Sequence, residues 1–368
     1  MRINKLRTMN NAKYLIIVLI TGFVLAGCSS ESTVTPTETN TKSDITRAGK
    51  FISFTSNLTG NYNIYLAQVE TDGMLSTSGL VYPNNPFNLT QLFTGVDNKQ
   101  SNWSPNGRML VFTTEQGNAQ YIYVFFFNSD GSRDTTISPN PRQLVNAGVD
   151  WDNNASFSPD GKYLIWDRRY DNNNTPGVDT ADSRDLYIGS VVDSGANMQI
   201  TNIHAIMTTP GGDEYNPKWS PRISVRKIAY EYQSSSTATD HDVYVIDPFD
   251  TTNNVNFYNP NNSGYPAWSP ACDNIIFESD KSSGDFWKIV KLAYPTNNNT
   301  PTDVIAESNV HLRYPTRLPN GDLISYIRFA PSTGRGNIWI VSSSGGTPFK
   351  LLQSVPQFDA ANNLWPAW

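Results

Sequence analysis

Beyond residue 50 the apolar positions fall in short alternating runs. They include RMLVFTT (108–114), YIYVFFF (121–127), KYLIWD (162–167), KIAYEY (227–232), DVYVID (242–247), NIIFES (274–279) and LISYIR (323–328). Clusters of Gly, Pro, Asn and Asp separate them. Period-two runs of this length between turn residues predict strands, and many of them at regular spacing predict an all-β sandwich, barrel or propeller. Internal repetition decides among these.

The clearest repeat is a tryptophan corner. It reads Asn102-Trp103-Ser104-Pro105-Asn106-Gly107, then Ser156-Phe157-Ser158-Pro159-Asp160-Gly161, then Pro217-Lys218-Trp219-Ser220-Pro221 and Pro266-Ala267-Trp268-Ser269-Pro270. Pro315-Thr316-Arg317-Leu318-Pro319-Asn320-Gly321 is a weaker copy, and the last is Pro366-Ala367-Trp368. The anchor position falls at 103, 157, 219, 268, 317 and 368, with gaps of 54, 62, 49, 49 and 51 residues. That length holds four short strands with their turns. Asn-Gly and Asp-Gly make tight turns because Gly accepts positive φ, and the preceding Pro sits where no ladder N–H is needed. Trp103, Phe157, Trp219, Trp268 and Trp368 are expected as anchors between neighbouring blades. Burying one Trp removes about 200 Å² from water, worth up to about 5 kcal/mol before entropy is charged. Phe54, Phe112, Trp166 and Phe277 stand at core phase.

The first unit lacks its front. Gly49-Lys50-Phe51-Ile52-Ser53-Phe54, Asn63-Ile64-Tyr65-Leu66 and Phe87-Asn88-Leu89-Thr90 match the second, third and fourth strands, with no W-S-P before them. Leu364-Trp365-Pro366-Ala367-Trp368 supplies the missing one. The expected architecture is therefore an all-β, six-bladed β-propeller of four-stranded antiparallel blades, the first closed by the C-terminal strand, which leaves no open edge between first and last blades. The blades are expected at about 47–96 plus 364–368, 97–150, 151–212, 213–262, 263–311 and 312–363. The corners resemble the TolB-like propeller repeat, roughly P-x-W-S-P-D-G-K-x-I-A-F, over about residues 45–368. The resemblance implies the fold and says little of activity. TolB itself carries an α/β domain before its propeller, and this chain has none of that pattern there. Arg317 and Leu318 depart from the repeat.

The N-terminal segment reads as an address. Arg2, Lys5, Arg7 and Lys13 precede the apolar run YLIIVLITGFV (14–24), which is shorter than the roughly 20 residues of a spanning helix. Leu25-Ala26-Gly27-Cys28 resembles the bacterial lipobox. Residues 1–27 are expected to be a lipoprotein signal peptide, Cys28 the lipidated N-terminus, and 28–46 a disordered tether. Ser29–Asp44 has no aromatic residue, and at roughly 3.3 Å per residue it reaches up to about 50 Å. Ser29 after the Cys favours the outer membrane within the cell envelope.

The chain has 27 basic and 33 acidic residues; without the leader's four basic ones, the balance is 23 against 33, a formal charge of −10. That disfavours nucleic acid and leaves the lipid anchor as the membrane contact. Cys272 is the only other cysteine, so no intramolecular disulfide is expected, and in WSPACDN it reads as structurally incidental. There is no G-x-S-x-G, no H-E-x-x-H and no sialidase Asp box. His204, His241 and His311 occupy three repeat phases, expected to be unrelated surface or loop positions.

Aligning the loop before each innermost strand gives a better constellation. Six residues before the anchor stand Asp97, Trp151, Asp213, Asn262, His311 and Asn362; Asp152 and Glu214 follow one residue later in their repeats. In a propeller these meet around one channel mouth. Asp97, Asp152, Asp213, Glu214, Asn262, His311 and Asn362 are the candidate binding residues, for a cation, a sugar or a peptide end; calcium or another divalent cation is the candidate cofactor. No catalytic residue is identified. The expected function is a monomeric, lipid-anchored binding scaffold for an envelope protein or peptide. The alternative is a polysaccharide-binding or lyase-like propeller with a divalent metal at the mouth.

Overall fold

The computed structural model describes residues 50–368, apart from 146–147, 149, 172–176, 180, 194, 236–237, 259–261, 281–285, 296–299, 306 and 320. The leader, Cys28 and the tether lie outside the described residues.

The chain is a succession of strands. β1 (Phe51–Thr59), β2 (Asn61–Gln68) and β3 (Phe87–Asn88) come first. Then follow β4 (Asp97–Trp103), β5 (Met109–Gln116), β6 (Ala119–Phe126) and β7 (Arg142–Val145), and β8 (Trp151–Phe157), β9 (Tyr163–Arg169), β10 (Arg184–Val192) and β11 (Gln199–Met207). After them come β12 (Asp213–Trp219), β13 (Ile228–Gln233), β14 (Asp242–Asp247) and β15 (Asp250–Tyr258), then β16 (Ser263–Trp268), β17 (Asn274–Ser279), β18 (Lys288–Ala293) and β19 (Thr302–Asp303). β20 (Leu312–Arg317), β21 (Leu323–Phe329), β22 (Gly336–Ser342), β23 (Phe349–Lys350) and β24 (Asn363–Ala367) complete the order. The helical content of the described residues is one 3-10 turn, Pro356–Ala360.

Four sheets hold four strands each, in the orders β24-β1-β2-β3, β12-β13-β14-β15, β16-β17-β18-β19 and β20-β21-β22-β23. A fifth holds eight, and within it a single parallel bridge, Gln120 to Trp151, joins the β4–β7 quartet to the β8–β11 quartet. All other strand pairs are antiparallel hairpin neighbours, save one. β24 pairs with β1 across almost the whole chain, Ser53 opposite Ala367 and Ser56 opposite Asn363.

Apolar side chains fill the spaces between quartets. Ile165, Leu186 and Ile188 pack with Trp219, Ile228 and Tyr230 of the next quartet. Phe51, Ile64 and Leu66 pack with Leu110, Phe112 and Phe125. Ile327, Ile338 and Ile340 pack with Ile52, Phe54 and Trp368. Phe54, Phe112, Trp166 and Phe277 are all buried, as their phase predicts. The anchors reach across: Trp268 Nε1 donates to the Lys218 carbonyl of the preceding quartet at 3.0 Å, and Trp368 Nε1 to Ser325 Oγ at 2.9 Å. Where Arg317 replaces an aromatic anchor, buried Leu318 takes the apolar place beside Trp368.

The Ser of the W-S-P corner has a specific job. Ser104 Oγ donates to Asn106 Oδ1 at 2.7 Å and accepts the Met109 N–H at 2.9 Å; Ser158 repeats this with Asp160 and Tyr163. Each such turn closes with an N–H returning to the Ser carbonyl, from Gly107, Gly161 and, in the fifth quartet, Cys272. Gly107 and Gly161 have φ of 62° and 70°, and Cys272 has 58°. Cys272 is therefore not incidental: it holds the left-handed turn position that other repeats give to Gly, and it is buried beside Tyr294.

A second feature recurs in the first strand of every quartet. Gln100, Asn154, Asn216, Tyr265, Tyr314 and Trp365 all have φ between 47° and 56°. Each lies three residues before its anchor, and strand register shifts there, as between Lys99 and Asn102 or between Gly264 and Ala267. These are β-bulges: one extra residue turns the strand and points it afresh. The first strands lie side by side, β4 against β8, β8 against β12, β12 against β16, β16 against β20, β20 against β24 and β24 against β4.

Candidate binding surface at the start of the first strands

The residues just before each bulge sit at one end of the first strands, and the structure spends the expected ligands locally. Asp97 Oδ1 accepts the Tyr62 N–H at 2.9 Å, and its other oxygen lies 3.1 Å from Lys99 Nζ, which also meets Glu115 at 2.9 Å. Burial works against that charge, but the Tyr62 N–H and Lys99 outweigh it and hold Asp97 below the usual carboxylate range. Asp152 is fully buried and takes Arg168 through both oxygens at 2.7 and 3.1 Å, together with Trp166 Nε1 at 2.8 Å. Asp213 pairs with Arg169 at 3.1 Å and accepts the Arg184 N–H at 2.8 Å. Asn262 bonds Asp280 and the His241 N–H, and Asn362 accepts the Gly336 N–H. His311 is exposed, lies tilted at 54° to the Phe286 ring with centroids 4.9 Å apart, and accepts the Trp287 N–H. Glu214 is fully buried. Among the described residues no group of three or more His, Cys, Asp or Glu side chains converges on one point.

One strand further into each quartet lies a set of positions that the sequence marks only as strand. Thr55, Thr113, Asp167, Glu231, Glu278 and Ile327 stand opposite the residue before each bulge. The three acids reach into the next quartet and accept its bulge N–H. Asp167 takes Asn216 N at 3.2 Å, Glu231 takes Tyr265 N at 3.2 Å, and Glu278 takes Tyr314 N at 2.8 Å. Asp167 also accepts Asn154 Nδ2 at 2.8 Å, and burial pushes its carboxyl up to about 6 against the pull of Arg184. Glu278 is held by Arg313 through Nε at 2.9 Å and Nη2.

Glu231 is the most densely bonded. Its Oε2 accepts Asn216 Nδ2 at 2.8 Å, and its Oε1 meets His241 Nδ1 at 2.8 Å; the Tyr215 hydroxyl bonds the same imidazole nitrogen. Burial disfavours the imidazolium, but the Glu231 carboxylate prevails and raises His241 above its ordinary value. His241 is thus not an isolated loop histidine. Room for this carboxylate exists because residue 264 is Gly: a Cβ there would stand 2.6 Å from Glu231 Cδ.

Three of the six bulges carry aromatic rings, and these rings touch. Tyr265 and Tyr314 have centroids 4.5 Å apart at 76°, Tyr314 and Trp365 are 5.7 Å apart, and Trp365 and Tyr62 are 6.3 Å apart. All four are half-buried. Arg313 lies over Trp287 at 4.6 Å and over Tyr314 at 5.1 Å, and Lys99 over Tyr62 at 5.1 Å. The other three bulges carry Gln100, Asn154 and Asn216. On that side half-buried Lys218 donates to Asn102 Oδ1 at 2.9 Å from two quartets away, and burial brings its amine down to about 8. The surface therefore pairs an aromatic arc, edged by neutralised cations, with an amide arc.

No family model matches this sequence, and no curated protein sequence does. Solved structures do. TolB from Acinetobacter baumannii superimposes with a TM-score of 0.56 at 15% identity, over 88% of this chain and 67% of that one. A putative TolB from Agrobacterium tumefaciens gives 0.51 at 14%, over 82% and 87%. Hydrazine synthase of Kuenenia stuttgartiensis gives 0.57 at 12%, over 92% of this chain and 50% of that one. A hydrazine synthase alongside TolB shows how little the shared architecture says of activity. What these likenesses do show is that the chain has a TolB-like propeller fold and is not TolB itself.

Proposed function

We propose that this chain is a non-catalytic binding scaffold: a monomeric six-bladed propeller, its first blade completed by β24, carried on a lipid anchor at Cys28 in the bacterial envelope. Its partner is an envelope protein or peptide, received at the mouth where the first strands begin. The observation that carries this reading is the half-buried, mutually touching aromatic arc of Tyr62, Trp365, Tyr314 and Tyr265. Aromatic rings and Arg at the centre of a surface, with acids already paired, are the make-up of protein-binding hot spots. The pairing of β24 with β1 and its seat against β4 support a closed ring. The leader with Leu25-Ala26-Gly27-Cys28 supports the anchor, and Ser29 favours the outer membrane.

A second reading draws on the same rings, whose flat faces also suit a sugar polymer. Its lyase form needs a divalent metal. Calcium or another such ion at Asp97, Asp152 or Asp213 has to compete with Lys99, Arg168 or Arg169. Cross-linking from intact envelopes, with the natural protein and with Tyr314→Ala beside it, tests both. A defined envelope protein or peptide captured by the former and lost with the latter is the expected result. Capture of glycan instead favours the second reading, and equal capture by both proteins removes the arc as the site. Metal content of the purified protein by elemental analysis decides the lyase form.

A further inference from the structure

The residue just before the anchor is Asn102, Ser156, Lys218, Ala267, Thr316 and Ala367 in successive quartets. Lys218 is the one charge among them, and the bulge residues two positions earlier carry none. An ammonium has three N–H donors. Lys218 spends one on a neutral partner, Asn102 Oδ1 at 2.9 Å, in a strand that β8 separates from its own. Among the described residues no carboxylate is within salt-bridge reach of it. Asp167 acts on it from further off, and its hydrogen bonds go to Asn154 Nδ2 and Asn216 N instead.

Asp167 has a second cation beside it. Arg184 acts on the same carboxylate, lies 5.0 Å from the Tyr215 ring centroid, and keeps a buried Nε with no hydrogen-bond partner among the described residues. Two cations therefore share one acid, which leaves one positive charge in surplus. A half-buried charge without a bonded counter-ion is unfavourable, and a monoanion is what balances it. The strands that Lys218 spans also hold uncommitted polar groups. Gln100 stands at the bulge of β4, and Ser156 stands on β8 between Asn102 and Lys218. Both are half-buried, and neither side chain makes a hydrogen bond among the described residues. The amides of Asn154 and Asn216, by contrast, are spent on Asp167 and Glu231.

We propose that the amide arc is a carboxylate-binding site: one ligand oxygen takes a spare N–H of Lys218, the other is met by the Gln100 amide and the Ser156 hydroxyl, and Arg184 adds to the field that draws the anion in. The surplus of one charge selects a monoanion, because Asp167 and Glu231 would repel a second negative charge. Two planar oxygens suit donors that stand on separate strands, and a charge-assisted bond is the strong one of the set. Burial brings the Lys218 amine down to about 8, so at neutral pH it is charged, and a bound anion offsets the cost of that charge. A chain-end carboxylate and a free small acid share this chemistry. The site uses none of the four rings of the aromatic arc, so it stands apart from whatever that arc binds.

Calorimetric titration at neutral pH in chloride-free buffer tests it, with acetate, with N-acetylglycylglycine and with the C-terminal amide of that peptide. The natural protein is expected to bind both acids and not the amide. Lys218→Met should weaken binding by about tenfold or more, the usual effect of removing a hydrogen-bonded charge. Asn102→Asp gives the same ammonium a carboxylate of its own. It should abolish binding with Lys218 still in place, which keeps the test decisive if the Met variant does not fold. Gln100→Ala and Ser156→Ala should each weaken binding roughly threefold to tenfold. N-acetylglycylglycine binding about tenfold tighter than acetate assigns the site to a chain end, and equal affinities assign it to a free small acid. Equal binding by the natural protein and Asn102→Asp, binding of the amide as tightly as the acid, or chloride displacing acetate on equal terms overturns the proposal.

Discussion

The six junctions between quartets are built in two ways. At three of them a buried carboxylate, Asp167, Glu231 or Glu278, accepts the bulge N–H of the next first strand. At the other three the same place holds Ile327, Thr55 or Thr113, and the hydroxyls of Thr55 and Thr113 are buried without a hydrogen-bond partner among the described residues. There the join rests on apolar packing and on lighter contacts, such as Ser101 to Ser53 and Asn102 to the Ala155 carbonyl. The lesson is that one repeat geometry tolerates opposite chemistries. The carboxylate version fixes the bulge of its neighbour by charge and makes that neighbour sensitive to substitution. The apolar version depends on the amount of surface buried.

The comparison breaks first at the apolar junction that β24 serves. Deleting Leu364–Trp368 removes the buried side chains of Leu364, Ala367 and Trp368 and the partner of β1, and should cost more than about 5 kcal/mol in denaturant melts. Trimming an equal length from 29–44 should cost under about 0.5 kcal/mol. Next, Glu278→Gln leaves Arg313 without its countercharge and should cost about 3–5 kcal/mol by the same measurement. Gly264→Ala drives a methyl into the Glu231 carboxylate and should cost about 1–3 kcal/mol; a cost near zero would mean that the carboxylate does not sit where the comparison requires.

His241 supplies a pH test of the carboxylate side. Its folded pKa is raised, so its contribution is fully present below the ordinary histidine value and is lost as pH rises through the folded value. The stability difference between the natural protein and His241→Gln should accordingly shrink as pH rises from about 6. A difference independent of pH would place the imidazole outside the Glu231 network. The smallest effect is expected at Thr113→Val, where an unpartnered hydroxyl becomes a methyl. The change should lie within about 1 kcal/mol, toward greater stability.

Much of this architecture is legible in the sequence. The alternating runs, the W-S-P phase and the match of Leu364–Trp368 to a missing strand all have side-chain signatures, because burial and turn chemistry select residue types. The bulge has none. Gln100, Asn154, Asn216, Tyr265, Tyr314 and Trp365 share a backbone conformation and no side-chain character, so nothing in composition marks them. The fate of Asp152 and Asp213 was hidden for another reason. Arg168 and Arg169 look like the end of an exposed strand until pairing sets Arg168 opposite Asp152 and brings Arg169 to Asp213. Glu231, Glu278 and Asp167 interrupt apolar runs at one common phase, and that was the available signal: a charged residue in a core strand, repeated, announces a partner. Cys272 was similarly readable as the residue standing where its sister repeats place Gly.

The bulge has a practical consequence. Because its left-handed turn accepts Gln, Asn, Tyr and Trp alike, it behaves as a row of sockets of one shape, one at the same place in each first strand. Whatever is plugged into a socket is presented at the same height and angle, and the strand on either side does not need to change. Recognition can then be rewritten one socket at a time, and an aromatic side chain moved from Tyr314 to Asn154 would carry its ring to the opposite arc without asking the fold for a new solution.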